Sequence, residues 1–568
     1  MKITGFARKY TGYISLIFGF VLFKAIFTFI APVIIKIILD QISSGSMNTD
    51  GIRLYFILFA VTFFLLYTVN FILSYFNLKF SLVFKVNELE NMYQKLMRIR
   101  YADYYKNGSA YYVNRITIFV YDLFSLLSNT LSYALISILT ILISFYFIYK
   151  INIGIFWISF FLLPINYFGF KRINKSLLNK SQKMQHTTAA NYEKVTNTIS
   201  NFELIKQLVD YPAVAALMRR FFTASEEAQN EVNFYAQNIS LLLIFVIDGM
   251  KNLILFYSIY LLSQKALTFP DVIFLNMIMS IYSGALSELN KININLRDLK
   301  VNFNFLRDEF TQKTENSGTL ELAPVENIRF DINEFNYESK RVLNDFRLSF
   351  SKGRSYAVVG GSGCGKSTVA KLLVGLYDSN IYINDVGIEK YNLESLRNRI
   401  YLVPHTPQIF PCSIEENIKI GCADNELRNY EKLMQLPFVK VLAEKYDFSK
   451  TNILESGVNL SSGEKQSINM MRMLIRNPEV IVLDEATSAM DSKWEEMAIK
   501  DMGEYLGTGK ILINISHRLS SIKSCGEIVL LENGHIRQTG SLQDMLGNNL
   551  FRKIFSSQID SIQPSPGY

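Results

Sequence analysis

The chain has 568 residues, several times the ~100–200 of a typical domain, so at least two units are expected. Hydrophobic residues make up 49% and charged residues only 19%, against about 25% in a soluble chain, which excludes a disordered chain and an ordinary cytosolic enzyme. The net charge of +8 suits nucleic acid or an anionic membrane surface, and its distribution along the chain decides between them.

The amino-terminal MKITGFARKYTGY carries no small-residue cleavage site and no transit-peptide pattern, and is expected to stay in the mature protein. No protease-like segment is expected ahead of the first apolar stretch. Six apolar stretches follow, at about Tyr13–Lys36, Leu54–Leu78, Leu126–Tyr149, Ile151–Phe170, Ile239–Leu262 and Val272–Leu289. Each is close to the ~20 helical residues that cross ~30 Å of hydrocarbon, and lengths of this size in lipid require helices. Lys2, Arg8 and Lys9 precede the first stretch, and segments 79–125 and 171–238 are rich in Lys and Arg. The alternate segments carry only Arg53, Lys150 and Lys265. The basic side, with the amino terminus, is therefore cytoplasmic.

The two cytoplasmic connections are much longer than the outer ones, and both keep apolar residues at helical spacing among charges, as in Tyr192–Leu208. A 47-residue segment folded in half projects about 35 Å at ~1.5 Å per residue, so helices are expected to continue well past the membrane. Polar side chains within the spans are candidate cavity residues: Lys24, Asn276, and the pair Asp248 and Lys251 on one helix face. Two readings of that pair stay open, a substrate cavity and a mutual ion pair that packs helices.

The chain changes character near residue 305. A polar linker is expected over 306–324, an α/β domain over 325–556 and a flexible tail over 557–568. The run Ser355–Val359 leads into GGSGCGKST, Gly360 to Thr368, and then into an apolar helical pattern. Strand, glycine-rich loop and helix together form the setting in which backbone N–H groups cradle phosphate. Here Gly360, Ser362, Gly363, Cys364 and Gly365 shape the loop, Lys366 neutralises phosphate, and Ser367 is a hydroxyl ligand for Mg²⁺ beside Thr368. Further on, EVIVLDE ends a buried strand in Asp484, expected to hold Mg²⁺, and Glu485, placed as general base for an attacking water. All four cysteines lie in this half, which fits a reduced compartment and excludes a secreted disulfide scaffold. Cys364 stands at a helix N-terminus beside Lys366, surroundings that lower a thiol pKa; it is either a small residue at a variable position or a reactive thiol shielded by ATP.

LSSGEKQ (Leu460–Gln466), the Asp484–Glu485 strand, SAMD (Ser488–Asp491) and INISHR with His517 follow one another in an order and spacing that resemble the nucleotide-binding domain of ABC transporters. With six spans ahead of it, the chain resembles an ABC exporter half-transporter, most like bacterial single-chain exporters for microcins and lasso peptides. The resemblance implies an α-helical polytopic membrane domain (1–305) fused to an α/β P-loop ATPase in the inner (plasma) membrane. It implies a homodimer that exports its substrate by alternating access, with ATP and Mg²⁺ as cofactors. Tyr337 matches the aromatic that stacks on adenine. Ser461 and Gly463 match the signature that contacts the γ-phosphate of the other subunit, His517 the switch histidine, and Asp491 the residue coupling the two sites. Tyr112–Asp122 and Thr196–Gln207 match the coupling helices.

Two departures stand out. Ser462 and Glu464 occupy the second glycine and the glutamine of the family's LSGGQ, and in VPHTPQIF the alignment puts His405 at the Q-loop glutamine. Gln408 replaces it only in a rearranged loop. Ordinary tolerated variation at His405 and slowed, pH-sensitive turnover both stay open. The expected function is ATP-driven export of a peptide antibiotic with self-immunity, the alternatives being a lipid flippase, a multidrug exporter, or a nucleotide-gated channel with weakened ATPase. Partners implied are a second copy, membrane lipid, the exported compound and an outer-membrane channel. Nucleic acid is excluded because the basic excess flanks the membrane.

Overall fold

The computed structural model describes residues 10–46, 49–208, 210–337 and 340–559, which form two compact units, Met1–Thr314 and Glu315–Tyr568. The amino-terminal unit is helical. Its elements are α1 (Thr11–Phe27), α2 (Ile30–Ser43), α3 (Thr49–Leu96), α4 (Tyr101–Asn107), α5 (Ser109–Ser125), a π turn (Leu126–Thr130) and α6 (Leu131–Ile151). They continue with α7 (Ile153–Ser200), α8 (Phe202–Leu208), α9 (Tyr211–Ser263) and α10 (Phe269–Gln312).

The long helices combine an apolar span with a charged extension. α3 has 48 residues, about 72 Å at ~1.5 Å per residue, more than twice the ~30 Å of hydrocarbon. Five helical stretches among the described residues are long and apolar enough to cross a membrane, and Ile153–Phe168 is a shorter apolar one. Sharp turns are set by local chemistry. Asn152 alone separates α6 from α7, and its side chain accepts from the Ile155 N–H at 3.1 Å. Thr268 and Asp271 form a reciprocal capping box at the start of α10. In the span region α6, α7, α9 and α10 share a core in which the buried Tyr282 hydroxyl donates to the Ser159 carbonyl at 2.7 Å. The extensions have their own core around Phe84, Met92, Ile116, Phe119, Leu123 and Leu299.

Two expectations need correction. The linker expected over 306–324 begins as helix, because α10 runs to Gln312 with Leu306 buried in the extension core. The first coupling stretch expected at Tyr112–Asp122 lies inside α5. There Tyr112 is buried with its hydroxyl donating to Glu309 at 3.0 Å, and Arg115 donates to Gln185 at 2.8 Å. The chain reverses instead at α4, which Gly108 ends at φ 82°. A Cβ at Gly108 would fall 2.0 Å from the Glu193 carboxylate, which takes the Tyr111 N–H at 3.0 Å, so glycine is needed there. The second expected stretch overlaps the short helix α8.

The second unit begins with β1 (Asn327–Tyr337), β2 (Lys340–Ser351), β3 (Ser355–Gly360), α11 (Lys366–Leu373), β4 (Ile381–Ile383), β5 (Val386–Gly387), α12 (Leu393–Arg399) and β6 (Ile400–Val403). Then come α13 (Ile414–Lys419), α14 (Pro437–Lys445), α15 (Ser462–Arg476), β7 (Val480–Asp484), α16 (Ser492–Leu506), β8 (Ile511–Ile515), β9 (Glu527–Glu532), β10 (His535–Gly540) and α17 (Asn549–Ile559). The tail expected over 557–568 lies, from residue 560, outside the described residues. An antiparallel sheet has the order β2-β1-β4-β5 and a mixed one β10-β9-β3-β8-β7-β6. In the second, β3, β8, β7 and β6 are neighbours and parallel. β7 is buried throughout, as its continuous apolar run requires.

The loop after β6 is fastened to α15 by Arg472. Its buried guanidinium donates to the Gln408 carbonyl, to the Asn417 carbonyl and carboxamide, and to Asn469 at 2.9 Å. Asn417 in turn holds the Phe410 N–H and carbonyl, each at 2.9 Å. Arg472→Met removes the donor that the Gln408 and Asn417 carbonyls share and should cost about 2–4 kcal/mol. Thermal unfolding of the full-length protein is expected to show the soluble unit melting roughly 5–10 °C lower; an unchanged midpoint would contradict the fastening role.

Candidate active site

Four segments far apart in sequence meet because β3, β8, β7 and β6 are neighbours and end on the same side. β3 delivers the glycine-rich loop, β6 leads to His405, β7 ends in Asp484 and Glu485, and β8 leads to His517. Ligand sites in parallel sheets form at these carboxyl ends.

Gly365, at φ 108°, caps α11, and a Cβ there would sit 2.7 Å from Leu343, so the loop tightens only with glycine. The Lys366 ammonium turns back into the loop, donating to the Gly360 carbonyl at 3.0 Å and the Gly361 carbonyl at 2.9 Å. Gly363 and Ser362 are exposed on the loop, whereas Thr368 is buried. Ser367 stands close enough to the Asp484 carboxylate to lower its pKa. Burial pushes the Asp484 carboxyl up, against the pull of Ser367, His405 and Lys366.

Glu485 adopts a left-handed backbone, φ 52°, and its N–H donates to the Ile515 carbonyl at 2.9 Å. That conformation, uncommon outside glycine, turns its carboxylate out of the strand. One carboxylate oxygen lies 3.3 Å from His405 Nδ1 and the other 3.2 Å from His517 Nε2. Two imidazoles therefore bracket one carboxylate. Burial and then Lys366 push the His517 pKa below the usual imidazole value, although Glu485 and Asp484 pull it up. His517 accordingly stays neutral to lower pH than a free histidine, and its share of stability is lost as pH falls below the usual ~6.5. Gln408 is exposed and held through its backbone carbonyl, so His405 rather than Gln408 stands at Glu485.

The remaining predicted residues fall into separate places. Tyr337 ends β1, with its ring edge-on to Tyr377 and to Phe335, each at 5.1 Å. Ser461 is the N-cap of α15, and its hydroxyl accepts the Glu464 N–H at 3.3 Å. Glu464, the departure from glutamine, takes the Ser461 N–H at 2.7 Å and pairs with Lys445. Its burial raises the carboxyl pKa, but Lys445 and Ser461 outweigh that and hold it low. The charge is thus absorbed locally. Ser462 is exposed, where an added Cβ is harmless, while a Cβ at Gly463 would approach the Ala489 carbonyl to 2.8 Å. Asp491 caps α16 by accepting the Trp494 N–H at 2.9 Å.

Sequence reasoning missed Gln466. Its buried carboxamide accepts the Ala489 N–H at 2.9 Å and donates to the Glu485 carbonyl and Ser488 Oγ, both at 3.3 Å. It ties the start of α15 to the turn that carries Glu485. A polar residue on the buried face of a short amphipathic helix was the available signal. The cysteine expectation needs correction: Cys364 is only 6% exposed, and burial pushes its thiol up, outweighing Lys366. Among the cavity candidates, Lys24 lines a pocket of the helical unit that Asp248, Lys251 and Asn276 do not line. Asp248 and Asn276 are exposed, and no ion pair joins Asp248 to Lys251 among the described residues.

Comparison with known proteins follows the same division. Residues 14–286 match the family described as ABC transporter transmembrane region, and residues 343–488 match the family described as ABC transporter. The ATP-dependent lipid A-core flippase of Haemophilus ducreyi is 29% identical over 500 residues, 82% of either chain. The mitochondrial iron-sulfur clusters transporter ATM1 of Chaetomium globosum is 30% identical over 305 residues, 52% of this chain and 51% of that one. Multidrug resistance protein 3 of Entamoeba histolytica is 34% identical over 244 residues, 40% of this chain but 18% of that one. A solved bacterial Atm1-family ABC exporter with ATP bound shares the fold, with TM-score 0.86, 20% identity and 99% of each chain covered.

The raised Cys364 pKa has a measurable consequence. With Cys412, Cys422 and Cys525 replaced by Ala, maleimide labelling of Cys364 should stay slow at pH 7 and accelerate only above the ordinary ~8.5–9 of a thiol. Rapid labelling at pH 7 would contradict the burial argument.

Proposed function

The chain belongs to the ABC transporters, a membrane region fused to one ATP-binding cassette, and from that membership we propose that two copies form an exporter that moves an amphiphile out of the cytoplasm. It is a multi-pass membrane protein with its ATPase domain in the cytoplasm, and ATP hydrolysis is coupled to transport. In a bacterium the membrane is the inner one.

The observation that carries the reading is the carboxylate of Glu485, bracketed by His405 and His517 one residue beyond Asp484. ATP binds with its phosphates in the loop from Gly360 to Thr368, where Lys366 exchanges its carbonyl partners for phosphate oxygens. Tyr337 swings onto the adenine. Ser367 and Asp484 would supply two hard oxygen donors to Mg²⁺, which would neutralise charge on the β- and γ-phosphates. Glu485 orients and polarises the attacking water, and His517 donates to the γ-phosphate. His405 takes the position of the family's glutamine against the same carboxylate. Ser461 and Gly463 lie on α15, with the Ser461 hydroxyl committed to its own helix cap. As the family resemblance implies, the signature of one copy completes the phosphate site of the other, and Asp491 links the two.

Two observations favour a lipid-like cargo: the relative matched over 82% of the chain is called a lipid A-core flippase, and the Lys24 pocket is lined by both polar and apolar side chains. Peptide-antibiotic export with self-immunity is the second reading, supported by the resemblance to microcin and lasso-peptide exporters.

Glu485→Gln in reconstituted full-length protein should retain ATP binding while hydrolysis falls at least about a hundredfold, in the range of lost general-base catalysis. ATP-dependent uptake of a fluorescent phospholipid into inside-out vesicles should stop with it. Solute flux that persists in the variant would instead support a nucleotide-gated channel.

A further inference from the structure

α3 is apolar around most of its circumference through the membrane, with Phe56, Phe63, Phe64 and Phe71 exposed. One face differs. Asn70, Ser74, Asn77, Ser81 and Lys85 follow one another at spacings of three or four residues and all line the same cavity. That spacing puts them on a single helical stripe, about 22 Å long at ~1.5 Å per residue. Asn70, Ser74 and Asn77 lie within the apolar span, where polar residues are costly, and Ser81 and Lys85 carry the row on into the cytoplasmic extension, which marks a path that is wetted or filled by a polar ligand.

The cavity, about 450 Å³ and open on one side, is walled by α1, which contributes Lys24, and by the junction of α5 and α6. At that junction the helix widens into the π turn Leu126–Thr130, and Ser128 and Asn129 of the turn face the cavity. π turns concentrate at functional sites because the extra residue re-aims side chains. Among the described residues two ammonium groups line the cavity and no carboxylate does. Glu88, one turn beyond Lys85, is buried and takes the Tyr10 hydroxyl at 2.9 Å and the Asn91 amide at 3.1 Å. The Lys85 ammonium lies over the rings of Tyr121, at 4.2 Å, and Phe124, at 4.8 Å. A cation so placed gains from the ring faces, and among the described residues it has no ion-pair partner.

We propose that this groove receives the anionic head, phosphate or carboxylate, of an amphiphilic substrate, with Lys24 and Lys85 as the charge contacts and the α3 stripe as hydrogen-bonding floor. The inference rests on the export reading above and narrows its substrate class. The apolar Phe20, Val21 and Leu78 at the cavity wall suit the start of an acyl chain. Its volume lies in the range of pockets that enclose small ligands.

The test uses full-length protein in phosphatidylcholine nanodiscs, with fluorescence titration of dansyl-phosphatidic acid and dansyl-phosphatidylcholine. Wild type should bind the anionic probe about tenfold or more tighter than the zwitterionic one, the scale of a charge-assisted contact. K24Q/K85Q should lose that preference. K79Q, which changes an exposed lysine on the same helix outside the cavity, should keep it. If the double variant does not assemble, K24Q and K85Q alone should each weaken the preference. Inorganic phosphate that displaces the probe would mean that the head group alone is read; failure to displace it would mean that the chain contributes, and either result supports an anionic site. Equal binding of the two probes to wild type, or a preference that survives in K24Q/K85Q, overturns the proposal. Vesicle transport is scored separately: lysine-dependent binding without ATP-driven transport would sink the export reading and leave the site standing.

Discussion

One carboxylate between two imidazoles organises the nucleotide site. Glu485 reaches that position because β7 ends one residue earlier, its own backbone turns left-handed, and its N–H is held by the carbonyl that ends β8. His517 arrives from β8 and His405 from β6, the strands on either side of β7. A slip of one residue in either pairing would turn every alternate side chain to the other face and break the bracket. The full burial of β7 between parallel neighbours makes such a slip costly, so the catalytic geometry is a consequence of the core. Gln466 and Arg472, both on α15, extend the constraint to the turn after Glu485 and to the loop after His405. The helix that begins with the signature residues is thereby tied to both sides of the water-activating group.

Legibility in the sequence followed the range of the interactions. The phosphate loop, the strand ending in Asp484 and the long apolar helices were readable because each is encoded within about twenty residues. His405 was visible as a departure from a family pattern, but its contact with Glu485, 80 residues on, was not. The Glu464 substitution looked like an unexplained charge in the signature. Its explanation, Lys445 on a neighbouring helix together with the Ser461 cap, exists only after folding. Cys364 failed for an instructive reason: a helix N-terminus and a lysine favour thiolate, and burial outweighed both. The coupling stretch was misplaced because spacing reports a helix and cannot report where it turns. That point was set by Gly108 against Glu193, partners separated by the whole of the third span and its return.

The membrane half carries its chemistry differently. Its core pairs are apolar and cover little of α3, while the polar residues gather along one cavity edge. The sequence pointed to Lys24 as one of several isolated polar residues, and the structure joins it to a stripe on another helix and to a π turn whose irregularity no periodicity reveals. Asp248 and Lys251, one helical turn apart and attractive as a pair, make no ion pair. The half that binds ATP is constrained by hydrogen bonds with fixed partners. The half that meets the cargo is constrained by where polarity is tolerated.

The central claim, that His405 acts on Glu485, is tested most directly by the pH–rate profile of ATP hydrolysis in wild type and in His405→Gln. An imidazole, unlike a carboxamide, can take up a proton in the physiological range, and an imidazolium beside Glu485 would hold its carboxylate in an ion pair and repel a divalent cation. Wild-type hydrolysis should therefore fall off more steeply toward acid pH than that of the variant. Superimposable profiles would contradict the account.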